Sequence, residues 1–548
     1  MPSRQNFSSW LLTSRLGFLA CSVIVFVVRT WHWPLVGDAP LMHYVVFLIG
    51  RGLVPYRDIV DINMPGTYAI EGLVIHLFGG GALAWRLFDL SLCGLATAAM
   101  MALARPWGWF AGAFAGILFT LIHGRDGLID LGQRDLFVAV LVLAAYVFLF
   151  RYFRATEEGR ECIGAVLLFG VCIGAAAAVK PTILPLGPAL LALACLYRMK
   201  KGLPVVWLLV AGAVSLALPW GIAMGYLLHE HAASAFFTIL LHLDSQHAQL
   251  RRQSSSYLLS HCISSVLLPM VAIWIPVALS TGFWRTWKGA ALCIGVLAGF
   301  ASFFLQGKGY AYHRYPSEVL LLLIVGIDCT AALKSADSRW PGTARLFAAT
   351  ALCYGVFVIG IGSAAKAIRF DWRDDAFDTM LQADLQQLGG QRLDGHVQCL
   401  DMAAGCLNVL YRMQLEQATG VLYDCYFFMP VDDPAVEELR NRFWAEITEH
   451  PPRIFVVTSH QCDTSPMNYQ YSELHQWPAF DGFLANNYSL YADRIPPLPA
   501  EWMGKPAPPF GYRIYIWDGA RQLIAPSDRG RYAADGRDSR EGRAGPAA

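Results

Sequence analysis

Three polar clusters stand out in an otherwise apolar chain of 548 residues. Asp38 directly follows a long apolar run and has no basic neighbour in sequence. The stretch 124–135, GRDGLIDLGQRD, packs Asp126, Asp130 and Asp135 with Arg125 and Arg134 just ahead of a second apolar run. The stretch 306–316, QGKGYAYHRYP, combines Lys308, His313 and Arg314 with Tyr310, Tyr312 and Tyr315. A carboxylate held at a fixed depth can take a proton from a hydroxyl. Lysine and arginine bind phosphate, arginine through a two-pronged fork. The third cluster therefore predicts anion binding by Lys308, His313 and Arg314, with Tyr312 beside them.

Two further loops carry charge. The run PYRDIVDINMPG at 55–66 is dense in turn formers. Arg57 can pair with Asp58 or Asp61 and fix the turn, or these residues can act on a substrate; the sequence leaves both open. The loop 228–257 holds His242, Asp244 and His247. Their spacing matches no specific metal-ligand pattern, and an interfacial helix is the expectation there.

These clusters need a membrane to position them. Apolar residues make up 55% of the chain and charged residues 15%, with a mean hydropathy of +0.42. Soluble domains carry about 25% charged residues. The charge is also uneven: residues 1–364 hold 41 charged side chains and residues 365–548 hold 42. The first part is too apolar for water, whereas the second has the composition of a soluble domain. A secreted enzyme, a wholly cytosolic enzyme and a nucleic-acid binder are excluded, the last because no basic face stands out.

The chain is therefore read as a polytopic α-helical membrane protein with a C-terminal α/β soluble domain. About eleven spans are expected, near 16–36, 83–104, 107–123, 136–153, 162–181, 183–198, 204–227, 258–280, 288–306, 317–334 and 344–364. The segments 66–79 and 231–243 are apolar but short and are read as interfacial or re-entrant, and 41–50 is expected to lie along the interface. The first apolar run lacks a small-x-small cleavage site and is read as a span, not a signal peptide. Alternate short loops carry the arginines and lysines, which places the N-terminus in the cytoplasm of an inner membrane. The three polar clusters and the tail then face the other side, periplasmic or extracellular. The expected divisions are a membrane domain 1–364, an exported domain 365–525 and a disordered end 526–548.

In the tail, strands are expected at 395–400, 421–428, 453–458 and 512–517, with helices at 374–388, 405–416, 434–448 and 473–487. Its four cysteines are Cys399, Cys406, Cys425 and Cys462. An oxidising compartment allows pairing, and Cys399 and Cys406 are the nearest two. No Cys/His spacing suits structural zinc.

An acid at the exit of the first span, a second at the mouth of the fourth and a late cationic loop occur in an order that resembles the GT-C superfamily of polyprenyl-phosphate-sugar glycosyltransferases, which includes aminoarabinose transferases and protein O-mannosyltransferases. The run Val54-Pro55-Tyr56-Arg57-Asp58, then Asp61 and Pro65-Gly66, looks like a stretch common in its bacterial members. The family's first acid is often followed by Glu, whereas Ala39 follows Asp38 here. The resemblance implies a GT-C-like membrane domain. It also implies transfer of a sugar from a polyprenyl-phosphate donor to a lipid, glycan or protein acceptor at the outer face. Asp38 and Asp135 would be catalytic, and Lys308, His313 and Arg314 would hold the donor phosphate. Some relatives use a divalent metal, which Asp135 could help hold through oxygen; nothing in the sequence requires one. The competing class is a transporter or lipid flippase with an exported accessory domain. It would need charges deep in the bilayer, and Lys180 and Asp328 are its candidates.

Overall fold

A computed structural model describes residues 4–249, 252–334, 341–369, 376–401, 405–428, 434–459, 471–497, 501–502, 505–506 and 511–519. Each expected span overlaps helix, though not always a single one. Seven helical stretches are long and apolar enough to cross a membrane: Ala82–Ala104, Arg134–Glu157, Pro181–Lys200, Val206–His229, Trp287–Gln306, Ala311–Lys334 and Gly342–Arg369. The expected spans at 16–36, 107–123 and 162–181 appear as the helices Arg4–Thr30, Trp109–Asp126 and Ile163–Val179.

The expected span 258–280 is not one helix. It is broken into Ser255–His261 and Leu268–Thr281. The break has a physical cause: the freed Ser264 amide donates to the buried Glu318 carboxylate at 2.8 Å, and Pro269 restarts the helix at its first turn.

The membrane helices share one apolar core that runs from Leu19 to Ala367. A second core joins the tail to the loops on the polar-cluster side. It combines Leu41–Tyr68, Leu227–Leu243 and tail residues from Phe377 to Ile516. The helix Asp38–Gly50 is thus covered by the tail instead of lying free in the interface. Its Tyr44 hydroxyl donates to the Leu415 carbonyl at 3.1 Å and accepts from the Gln417 amide at 2.7 Å. The Val60 amide donates to the Gly420 carbonyl at 2.8 Å. Gly420 sits so close to the Asp58 carbonyl that any Cβ there would overlap it.

The tail sheet is mixed, with spatial order Val397–Leu400, Ile454–Thr458, Tyr512–Trp517, Tyr488–Arg494. Its first pair is parallel and the other two are antiparallel. Two expectations fail here. Residues 421–428 form no strand: Val421 makes a single bridge to Val60, and Asp424–Phe428 is a 3₁₀ turn. The strand Tyr488–Arg494 was not expected. Cys399 and Cys406 are joined, and Cys425 is also disulfide-bonded. Cys462 and the stretch 526–548 lie outside the described residues.

Candidate functional site

Gly37 is the N-cap of the helix Asp38–Gly50, and Asp38 stands in its first turn, where a carboxylate meets the positive end of the helix dipole. Asp38 Oδ2 accepts a 2.6 Å hydrogen bond from Arg134 Nη2. The pair is partly open, with Arg134 25% and Asp38 35% exposed.

Arg134 and Asp135 open the helix Arg134–Glu157. The chain reaches that start through Gly132, whose missing Cβ lets the Trp85 indole lie against it while Trp85 Nε1 donates to the Leu131 carbonyl at 3.0 Å. Asp135 is buried, and its Oδ2 accepts from Lys180 Nζ at 2.5 Å. Its Oδ1 has no hydrogen-bond partner among the described residues. Lys180 precedes Pro181, which forces it out of the helical region and ends the helix Ile163–Val179 there. The lysine is thereby placed at the mouth, level with the first turn of Arg134–Glu157. It is not deep in the bundle as the transporter reading would have it. Its ammonium lies 5.7 Å from the Tyr312 ring centroid.

The loop 306–316 divides its cations. Lys308 Nζ donates to the His247 carbonyl at 2.5 Å. His313 is buried, its Nδ1 lacks a hydrogen-bond partner among the described residues, and Lys180, Arg134 and Lys308 are its charged neighbours. Arg314 faces two acids: Asp126 Oδ1 at 3.1 Å and Glu318 Oε1 at 3.2 Å. Its charge is thus already matched inside the protein. Arg314→Ala is expected to leave two carboxylates buried without their cation, costing about 3–5 kcal/mol. A large fall in the melting temperature of the detergent-solubilised variant checks this, and an unchanged one refutes it. Asp130, next to this cluster, is pushed up to about 7 by burial and then by the Asp126 charge.

The 55–66 run satisfies its acids largely within itself. Arg57 chelates Asp58 at 2.9 and 2.8 Å, and Asp58 also accepts from the Val54 amide at 2.8 Å. Asp61 is buried and accepts from the Ile62 amide, Asn63 and Tyr68. Burial raises its carboxyl above the usual range, against those hydrogen bonds and the nearby Arg134.

Sequence reasoning did not bring two residues to this mouth: it read Lys180 as a deep charge and left Tyr423 out. Lys180 carried a signal, a lone cation before proline at the end of an apolar run. Tyr423 carried none, because it comes from the tail. It is half-buried, and Asp61, Asp38 and Arg134 are its charged neighbours.

A metal at Asp135 does not fit this donor set. The groups closest to the two carboxylates are cations, Arg134 and Lys180, where a divalent ion needs further oxygens. Among the described residues, three ligand-type side chains converge only at Asp89, Cys93 and His123. That group is already occupied: Asp89 binds Arg86 at 2.5 Å and His123 at 2.7 Å, and His123 also bonds the Tyr315 hydroxyl at 2.8 Å.

No protein-family model matches the chain, and no curated protein does either. Solved structures do. A crystal structure of ArnT from Cupriavidus metallidurans in the apo state superposes with a TM-score of 0.54 at 13% identity, covering 93% of this chain and 98% of that one. The chain shares the fold of that ArnT. The same ArnT bound to undecaprenyl phosphate gives a TM-score of 0.51 at 14% identity, covering 92% of this chain and 98% of that one. The coverage of ArnT extends to nearly its full length, so the likeness of fold includes the tail as well as the spans.

Proposed function

We propose that the protein is a membrane glycosyltransferase. It moves a sugar from a polyprenyl-phosphate donor to an acceptor hydroxyl at the non-cytoplasmic face of the inner membrane. The observation that carries this reading is the convergence of Asp38–Arg134 and Asp135–Lys180. Two carboxylates and two cations from three separate segments meet at one mouth, between the bundle and the tail. A shared fold with a protein whose crystal structure holds undecaprenyl phosphate supports the lipid donor.

In this reading, Asp38 takes the proton of the acceptor hydroxyl. The acceptor oxygen bonds to the anomeric carbon as the bond from that carbon to the phosphate oxygen breaks. The electron pair leaves with the phosphate, whose growing charge needs fixed cations in a site shielded from water. Lys180 and Arg134 are nearest to it, with Lys308 and His313 beyond. Asp135 holds Lys180 in place and has one oxygen left for a donor group of the sugar. Arg314 supports the loop from behind.

Purified protein given undecaprenyl-phosphate-linked sugars together with membrane lipid and glycan acceptors is expected to release free undecaprenyl phosphate. A transporter or flippase with an exported accessory domain would move the lipid and release none. Lipid movement across vesicle membranes without release would sink the transferase reading.

A further inference from the structure

The tail is fixed to the outer loops by contacts that leave it little freedom. The Tyr44 hydroxyl bridges Leu415 and Gln417, and Val60 pairs with Val421 across a bond to Gly420. Arg442 Nη2 reaches the Asp58 carbonyl at 3.4 Å. Two residues beyond Val421 stands Tyr423, with Asp38, Asp61 and Arg134 as its charged neighbours. The order of contacts explains the placement: Val60 precedes Asp61, so pairing Val60 with Val421 carries the next tail residues over the carboxylates. The Tyr423 ring is braced by Tyr426, with centroids 5.8 Å apart and an edge-on arrangement. Tyr423 is half-buried whereas Tyr426 is 1% exposed. Both pack on the second core, but only Tyr423 keeps part of its surface open.

We propose that Tyr423 is a platform for a sugar ring at the mouth formed by Asp38 and Arg134, so that the tail supplies a wall of the site. This rests on the glycosyl-transfer reading above. A pyranose has an apolar C–H face and a polar rim of hydroxyls. The Tyr423 ring suits the first, and the partly open Asp38–Arg134 pair can serve the second. The ring could receive either the donor's sugar or a sugar of the acceptor, and the same chemistry serves both.

The test uses the full-length protein in detergent, with thermal stabilisation as the readout. The donor probes are undecaprenyl phosphate carrying mannose, glucose or aminoarabinose, with bare undecaprenyl phosphate as reference. The acceptor probes are the corresponding methyl glycosides. Tyr423→Ala is expected to weaken binding of a sugar-bearing probe by about threefold to tenfold, the scale of an aromatic contact, and to leave bare undecaprenyl phosphate unchanged. Tyr423→Phe keeps the ring and is expected to bind like wild type. Loss confined to the sugar-bearing lipid assigns the ring to the donor; loss confined to the methyl glycosides assigns it to the acceptor. Equal weakening of the bare lipid, or a Phe variant as weak as the Ala variant, overturns the platform. So does undiminished binding by Tyr423→Ala. If wild type responds to none of the sugar-bearing probes, the glycosyl-transfer reading itself falls and takes the platform with it.

Discussion

Asp38→Asn is expected to express, insert and bind donor normally while lowering transfer by about 10²-fold or more, the usual scale for loss of a general base. The substitution keeps the size of the side chain, and its amide oxygen can still accept from Arg134. What it removes is the capacity to take a proton. Two structural readings compete. One has Asp38 capping the helix that follows, but Gly37 is the N-cap and no side-chain cap bond is made. The other has Asp38 only as an ion-pair partner of Arg134. A pair this exposed contributes about 0–1 kcal/mol, so that reading predicts a small change in melting temperature and none in turnover. Turnover of purified Asp38→Asn with any accepted lipid-linked sugar decides between them. Near-wild-type transfer would leave Asp38 as a partner for Arg134 and nothing more.

The site was partly legible because lipid makes charge conspicuous. Asp38, Asp135 and the cations of 306–316 stand at the ends of apolar runs, and each of those runs is a helix in the structure. What was illegible is pairing across long separations. Arg314 reads as a free cation in sequence, yet one of its acids, Asp126, lies 188 residues away. Tyr423 could not be placed at the mouth without the tail's contacts to Tyr44 and Val60, more than 350 residues earlier. In the tail, the apolar run 421–428 was read as a strand. It is buried because it is clamped between the loop around Val60 and the rest of the tail, and a short apolar run does not reveal which element buries it. The strand Tyr488–Arg494 was missed for the opposite reason. It is a half-exposed sheet edge that follows the helix Pro478–Asn487 with no intervening turn residue.

The second large effect concerns Lys180 and Asp135, where stability and catalysis can be separated. Asp135 is 1% and Lys180 18% exposed, and the pair is closed at 2.5 Å. Removing only the cation, in Lys180→Ala, leaves an uncompensated buried carboxylate. Breaking a buried pair this way costs about 3–5 kcal/mol, so a low melting temperature is expected together with lost transfer. That result alone would not distinguish a structural pair from a functional one. Replacing both partners with apolar side chains of similar volume, Lys180→Met with Asp135→Leu, removes the buried charge as well as its partner. Such exchanges are often neutral or stabilising, so the double variant is expected to melt near the wild-type temperature. If Lys180 meets the leaving phosphate, transfer stays down by about 10²- to 10³-fold, the scale for losing one electrostatic contact to developing charge. Binding of bare undecaprenyl phosphate should weaken in parallel. Recovery of transfer along with stability in the double variant would make the pair a brace between the helices Arg134–Glu157 and Ile163–Val179, and would move the phosphate toward Lys308.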